Sequence, residues 1–178
     1  MAKSTDIRVA GTQLFFLPVE TRLPLKFGPE TLTHVTCARA RLTVQLADGR
    51  TANGWGETPL SVQWVWPSAL PYESRHEALK EFCQHLAKAW SEFDAIGHPL
   101  ELGHDFQQTE LPRLLAEFNQ GQAADEPIPW LAALVCCSLF DIALHDALGK
   151  ALGKATYDTY SAEYLSRDIG QFLQPAAG

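Results

Sequence analysis

The sequence predicts an α+β fold in which a three-stranded antiparallel meander precedes a bundle of three to four helices. From Ala38 to Leu46, apolar and polar residues alternate strictly, which is the period of a strand with one buried and one wet face. From about residue 74 onward, the apolar residues instead recur at helical spacing. Strands followed by a run of helices are typical of an α+β domain.

Three strands are expected, over Ile7–Phe16, Ala38–Leu46 and about Thr51–Glu57. Asp48-Gly49 supplies the turn between the last two strands, because glycine tolerates a positive φ. A loop is predicted from Leu17 to Thr31, between the first two strands. It contains the breakers Pro18, Pro24, Gly28 and Pro29.

The first helices are placed from capping signals. Ser74 and Glu77 have the spacing of a capping box and predict a helix start. A loop is predicted over Gly97 to Gly103. Thr109 is expected to cap a short helix that holds Pro112 in its first turn, where a missing N–H is tolerated.

A long helix is predicted near the end of the chain. Pro129 suits its start and Gly153 its end, just after Leu152. A further short helix is expected within Tyr157 to Phe172. Residues 166–178 are predicted to be a linker or frayed end.

Composition excludes several classes of function. The 178 residues are 46% apolar and 20% charged, with a net charge of −7. Lys and Arg are scattered, so no nucleic-acid partner is expected. The uncharged run from Pro127 to Phe140 is too short for a membrane span, and no apolar signal core follows Met1. The four cysteines form no CxxC pattern, which favours reduced, buried thiols in the cytoplasm.

The most specific motif is the stretch from Ser138 to Gly153, SLFDIALHDALGKALG. Asp141 and His145 are four residues apart and share a helix face, as do Asp146 and Lys150. The stretch also contains a ridge of small residues, Ala143, Ala147 and Ala151, which allows another element to approach closely. Its internal Gly149 is expected to have a packing reason. The acidic and histidine side chains form either a metal or acid–base cluster or a polar seam against a neighbouring element, and the seam is favoured.

This motif resembles the last long helix of the N-terminal capping domain in the enolase superfamily, of the mandelate racemase and muconate-lactonizing type. Thr21–Phe27 resembles the first mobile loop of that family. Gly49 followed by Gly54–Pro59 resembles its second hairpin and strand end. The resemblance spans about residues 7 to 165, so residues 1–165 are interpreted as the capping domain. The segments after Pro59 and Tyr157 depart from the family pattern, and no substrate is carried over.

The resemblance implies a function that this chain completes only with a partner. In the family, an eight-fold β/α barrel holds Mg²⁺ and removes the proton α to a carboxylate. Racemases, cycloisomerases and acid-sugar dehydratases, which are isomerases and lyases, use this chemistry. A barrel needs roughly 200 residues, and about twenty follow Tyr157. The expected partners are therefore a barrel in the same or a separate chain, a small carboxylate, and further copies in a homo-oligomer. Neither activity nor a metal site is expected from this chain alone.

The resemblance also assigns site residues. Loops at Val19–Thr31 and Pro59–Pro71 would close over the barrel mouth. The residues expected to face substrate are Arg22, Lys26, Phe27, His34, Trp64 and Trp66. Those expected at the barrel interface are Glu57, Asp141, His145 and Asp146. The alternatives are that the aromatic residues pack against the domain's own helices and that the two cations are merely solvated.

Two other functions stay open. The chain could be a standalone binding or oligomerisation module that keeps the capping fold. It could also be an unrelated thiol- or histidine-dependent enzyme that uses Cys83, His85 or the Cys136-Cys137 pair, although no nucleophile–base spacing supports this.

Overall fold

Three antiparallel strands and four helices make up the chain in the computed structural model, which describes residues 3–27, 30–121 and 126–173. The sheet order is β1-β2-β3. The strands are β1 (Ile7–Phe27), β2 (Glu30–Leu46) and β3 (Thr51–Pro59). The helices are α1 (Val62–Val65), α2 (Tyr72–Glu92), α3 (Pro99–Gly121) and α4 (Trp130–Leu152). The predicted α+β meander with its helical bundle is confirmed.

The core lies between one face of the sheet and the helices. The predicted inward face of β2 is buried throughout, from Ala38 to Leu46 at every second residue. Gly49 has a φ of 87° in the predicted hairpin turn. Helix α4 crosses β3 closely, because Gly54 and Gly56 carry no Cβ. A Cβ at Gly54 would lie 1.9 Å from the carbonyl oxygen of Ala143, which confirms the close approach expected of the small-residue ridge.

Residues 17–31 differ most from the prediction. Strands β1 and β2 continue past the expected loop as a long two-stranded ribbon, with Val19 opposite Val35 and Lys26 opposite Thr31. Two prolines are tolerated because β1 is an edge strand, where a missing N–H need not break a ladder bond. The register shifts between Glu20 and Leu25, around Pro24. Residues 28–29, two of the four predicted breakers, lie outside the described residues.

The first two long helices begin earlier than predicted. Helix α2 starts after Pro71 rather than at Ser74, and no side-chain cap bond forms there. Helix α3 begins at Pro99, inside the predicted loop at Gly97–Gly103, and carries Pro112 in its interior. Within that helix, Thr109 donates to the Asp105 carbonyl at 2.8 Å instead of capping a new helix. Tertiary packing therefore overrides these local signals.

The end of the chain matches the prediction more closely. Helix α4 ends at Leu152, and the following Gly153 is left-handed with a φ of 64°. Gly149 has its packing reason, since a Cβ there would come within 3.0 Å of the Lys154 carbonyl oxygen. The expected short helix appears as two 3-10 turns, Thr156–Thr159 and Ile169–Gln171. The predicted tail is described only to Leu173, and residues 174–178 lie outside.

Helix α4 is long and apolar enough, by length and composition, to cross a membrane. It nevertheless packs against β2, β3, α2 and α3. Its residues include much of the buried core, from Ala132 to Leu148. These contacts are those of the central helix of a folded domain.

Candidate functional site

The two regions predicted as loops leave the sheet at the same end. Leu17 on β1 pairs with Cys37 on β2, and Cys37 pairs in turn with Pro59 at the end of β3. Beyond this row, β1 and β2 continue as the ribbon, while the chain after Pro59 turns into α1. The ribbon and the segment over residues 59–71 are therefore neighbours in space.

The ribbon presents exposed cations and apolar side chains. Arg22 and Lys26 are both exposed, as expected of residues that meet either substrate or solvent. Leu23 and Leu25 are exposed beside them. The side chain of Phe27, the remaining ribbon residue predicted to face substrate, lies outside the described residues.

The two tryptophans of the second region, residues 59–71, differ in exposure. The Trp64 side chain is 56% exposed. Trp66 is only 4% exposed and belongs to the main core, and its carbonyl accepts a hydrogen bond from the buried Arg75 guanidinium. The substrate-facing role expected of Trp66 is therefore wrong for this structure, and the alternative of packing inside the domain holds. One turn of helix causes the split, because α1 turns Val62 and Val65 inward and leaves Trp64 outside.

A small polar groove joins the ribbon to the second region. Its volume is about 150 Å³, and it is lined by Thr31, Leu32, Thr33, His34, Gln63, Tyr72 and Glu73. His34 also lines a larger groove of about 530 Å³ along the ribbon, between residues of β1 and β2. The Nδ1 of His34 lies 3.0 Å from the Thr33 hydroxyl. The sequence reasoning found His34 but missed Gln63, Tyr72 and Glu73, although all three lie within or next to the second predicted loop.

The four residues predicted at a barrel interface do not share one surface. Glu57 is exposed on β3 and pairs with Arg39 at 2.5 Å. Asp146 accepts the Trp55 backbone N–H at 2.7 Å and the Lys150 ammonium at 2.6 Å. Asp146 thereby covers part of the outer edge of β3.

Asp141 and His145 lie instead between α4 and α3. The His145 Nε2 is 4.0 Å from the Asp141 carboxylate. Asp141 also fills the space beside Gly103, where a Cβ would be 2.1 Å from its Oδ1. Burial lowers the pKa of His145 and raises the pKa of Asp141, since both charged forms are penalised. This is the polar seam that the sequence favoured.

A second histidine, missed from the sequence, extends that seam. The Nδ1 of the buried His98 accepts the Leu100 N–H at 3.1 Å, so its Nε2 carries the proton that is shared with the Thr159 hydroxyl at 3.0 Å. Burial and the charge of His145 lower the pKa of His98 to about 4. The Tyr160 hydroxyl lies 2.9 Å from the Nδ1 of His145. The seam therefore attaches the segment after α4 to the bundle.

A buried carboxylate holds the same segment further along the chain. The Glu101 Oε1 accepts the backbone N–H groups of Ser166 and Arg167 at 2.8 and 2.7 Å. The Arg167 guanidinium binds Asp105 with two hydrogen bonds, at 2.7 and 2.6 Å, and this contact lowers the pKa of Asp105. Residues predicted to begin a linker are thus fixed to α3.

The described residues offer neither a metal cluster nor a reactive thiol. Among them, no group of three or more His, Cys, Asp and Glu residues could hold a metal ion. All four cysteines are free and buried, as predicted. Burial raises the pKa of the Cys37 and Cys137 thiols, which disfavours the nucleophilic thiolate. These findings count against the thiol-enzyme alternative.

Solved structures share this fold. An enolase from Bradyrhizobium, in complex with magnesium and mandelic acid, superposes with a TM-score of 0.51 at 14% identity, over 88% of this chain and 35% of that one. This chain therefore shares its fold with part of that enolase. The family resemblance read from the sequence is thus confirmed as a fold. No family model and no curated protein matches the sequence.

Two further structures accompany that match. An L-talarate dehydratase from Polaromonas sp. JS666, in complex with Mg and L-glucarate, gives 13% identity and a TM-score of 0.46 over 93% of this chain and 41% of that one. A mandelate racemase/muconate lactonizing enzyme-like protein from Rubrobacter xylanophilus gives 18% identity and a TM-score of 0.44, over 85% of this chain and 33% of that one. The chain therefore spans about a third to two fifths of the length of these proteins.

Proposed function

We propose that this chain is the capping and substrate-specificity domain of a Mg²⁺-dependent enolase-superfamily enzyme that removes the proton α to a carboxylate. Racemase, cycloisomerase and dehydratase outcomes all fit this chemistry. The observation that carries the proposal is the common position of the ribbon and the residue 59–71 segment at one end of the sheet. A cap needs both elements on the same side to close over one barrel mouth.

The exposed side chains at this end suit closure. Leu23 and Leu25 on the ribbon and Trp64 on the second segment present apolar area to solvent, and covering it would favour association with a barrel. Closure would exclude water from the reacting centre. Arg22 and Lys26 would attract a carboxylate substrate toward the same end.

The three carboxylates predicted at the barrel interface do not form one Mg²⁺ site in the described structure. Asp146 is held by Lys150, Glu57 by Arg39, and Asp141 is enclosed beside Gly103 and His145. Mg²⁺ prefers several oxygen ligands in octahedral geometry, and these three oxygen sources lie in different places. The proposal therefore assigns the metal and the proton transfer to the barrel partner. This chain binds, orients and shields the substrate.

The test uses the longest reading frame that contains this sequence, together with any barrel encoded beside it. The expressed protein is incubated with Mg²⁺ and a panel of α-hydroxy and sugar carboxylates in D₂O, and α-proton exchange is followed by NMR. We expect exchange from the protein that includes a barrel. Absence of any barrel in or beside the frame, or of exchange across the panel, would overturn the proposal.

A matched pair of variants tests the role of the cap itself. Trp64→Ala should lower kcat/KM about tenfold or more, because it removes apolar area from the closing surface. Ile96→Ala changes a side chain of similar exposure, 64%, at the far end of the sheet, where Gly97 bridges to Ile7. It should leave kcat/KM unchanged. Equal effects of the two changes would refute a specific role for the end of the sheet that carries the ribbon and residues 59–71.

A further inference from the structure

The face of the sheet that points away from the helices is basic, although the chain as a whole is acidic. Over residues 7–16, 38–46 and 51–57, the outward-facing positions carry three arginines and one acid, Arg8, Arg39, Arg41 and Glu57. These charges sum to +2, whereas the whole chain carries −7, so the remaining residues carry −9. The open face of the sheet is therefore opposite in sign to the rest of the chain.

Two of these three cations have no acidic partner among the described residues. Glu57 neutralises Arg39 at 2.5 Å, which leaves Arg8 and Arg41. Arg8 donates to the neutral Gln45 side chain at 2.5 Å. The Nε of Arg41 is buried and makes no hydrogen bond in the described structure, so its two terminal nitrogens are left to bind a carboxylate. Two uncompensated guanidinium groups on an open surface favour an anionic ligand.

An aromatic pair beside Arg41 adds apolar area. The Arg41 guanidinium lies 5.8 Å from the Trp55 ring centroid, and the ring centroids of Trp55 and Phe15 are 6.0 Å apart. Both rings are exposed, Trp55 by 41% and Phe15 by 43%. Trp and Arg are the residue types most enriched among binding hot spots. We call Arg8, Arg41, Trp55 and Phe15 the open-face patch.

The dimensions of the open-face patch favour an extended peptide over other anions. Arg8 pairs with Gln45, which lies four residues along β2 from Arg41. At about 3.3 Å per residue, the two cations are about 13 Å apart, too far for one small anion. A nucleic-acid strand would run beyond the patch onto the acidic remainder of the surface. A short peptide would not, since charges more than about 8 Å away are largely screened at physiological salt.

We propose that the open-face patch binds an extended acidic segment of a partner protein, lying along the strands. Such a segment also advances about 3.3 Å per residue, so carboxylates four residues apart reach Arg8 and Arg41. Phe15 pairs with Arg39, two residues beyond Arg41 on β2, so an apolar residue two positions after the second acid meets the aromatic pair. The patch involves neither the ribbon nor residues 59–71, so this binding is independent of the proposed capping role.

A synthetic peptide with glutamate at its first and fifth positions and leucine at its seventh, and glycine and serine elsewhere, tests this. It is labelled with fluorescein and titrated with the full chain, and binding is followed by fluorescence anisotropy. We expect saturable binding that weakens at least about tenfold in Arg41→Ala and in Trp55→Ala, as for hot-spot residues. Lys88→Ala and Trp130→Ala change an exposed cation and a 45% exposed tryptophan on the helices, and they should leave binding unchanged. Far-UV circular dichroism verifies that each variant folds.

Altered peptides separate recognition of the spacing from a general attraction between opposite charges. A peptide of the same composition with its glutamates two residues apart should bind about tenfold more weakly, because one charge-assisted hydrogen bond is lost. No binding of the designed peptide, equal binding of both spacings, or indifference to Arg41 and Trp55 would overturn the inference. Tighter binding of a labelled single-stranded oligonucleotide, or self-association in sedimentation velocity that Arg41→Ala abolishes, would also overturn it, since each identifies a different occupant.

Discussion

The contact between β3 and α4 makes Gly56 the most informative position to change. A Cβ at Gly56 would lie 1.9 Å from the Leu139 carbonyl oxygen, whereas an ordinary contact begins at 3.4 Å. The obstacle is helix backbone rather than a flexible side-chain end. Gly56→Ala must therefore displace α4 from the sheet by roughly 1.5 Å, a case of overpacking. The neighbouring Asp146 bond to the edge of β3 would be strained as well.

We expect Gly56→Ala to lower the free energy of unfolding by about 3 kcal/mol, the upper end of the range for overpacking, because the whole helix must move. The assay is urea denaturation followed by far-UV circular dichroism. Gly11→Ala is the matched control, since Gly11 lies on the same sheet with nothing within 4 Å of its added Cβ. It should change stability by no more than about 1 kcal/mol. Equal losses in the two variants would refute the close contact between helix and sheet.

Three further predictions concern the buried polar groups and the thiols. Glu101→Ala should remove the hydrogen-exchange protection of the Ser166 and Arg167 amides while the core of α4 stays protected, because the alanine accepts neither N–H; unchanged protection would contradict the anchor. In the unfolded chain His98 binds a proton below its ordinary pKa of 6.5, but in the folded chain only below about 4, so its contribution to stability falls as the pH drops from about 6.5 to 4. His98→Asn should flatten the pH dependence of the urea midpoint in this window, and an identical slope in the variant would show that another group titrates. All four cysteines should react with iodoacetamide only after urea unfolding, so prompt labelling of any one of them in the native protein would reopen a thiol-based function.

The local sequence pattern predicted the structure correctly where burial and backbone conformation follow directly from neighbouring residues. The alternation over Ala38–Leu46 placed the inward face of β2 correctly, because each inward residue is apolar and each neighbour polar. Gly153 ended α4 as predicted, because that position needs a positive φ. The same glycine argument failed at Gly103. That residue is small because Asp141 of α4 occupies the space beside it, a reason that no local sequence signal carries.

The candidate site shows the same division. The sequence located both segments that meet at one end of the sheet, the ribbon and residues 59–71, and several of their exposed residues. It could not distinguish Trp64 from Trp66, because only the turn of α1 decides which ring faces inward. It also could not place His98 beside His145, since His98 precedes α3, His145 lies on α4, and the two rings meet only when α3 packs on α4.

The amino-acid sequence by itself determined the fold class, the long α4 helix and the resemblance to an enolase-superfamily capping domain. These depend on periodicity and on residues close together along the chain. Only the tertiary structure decided that the first loop is a ribbon, that the chain after α4 is anchored by Glu101, and that Trp55 lies beside Arg41. Such features depend on contacts between residues far apart in the chain, whose free energy no local window contains.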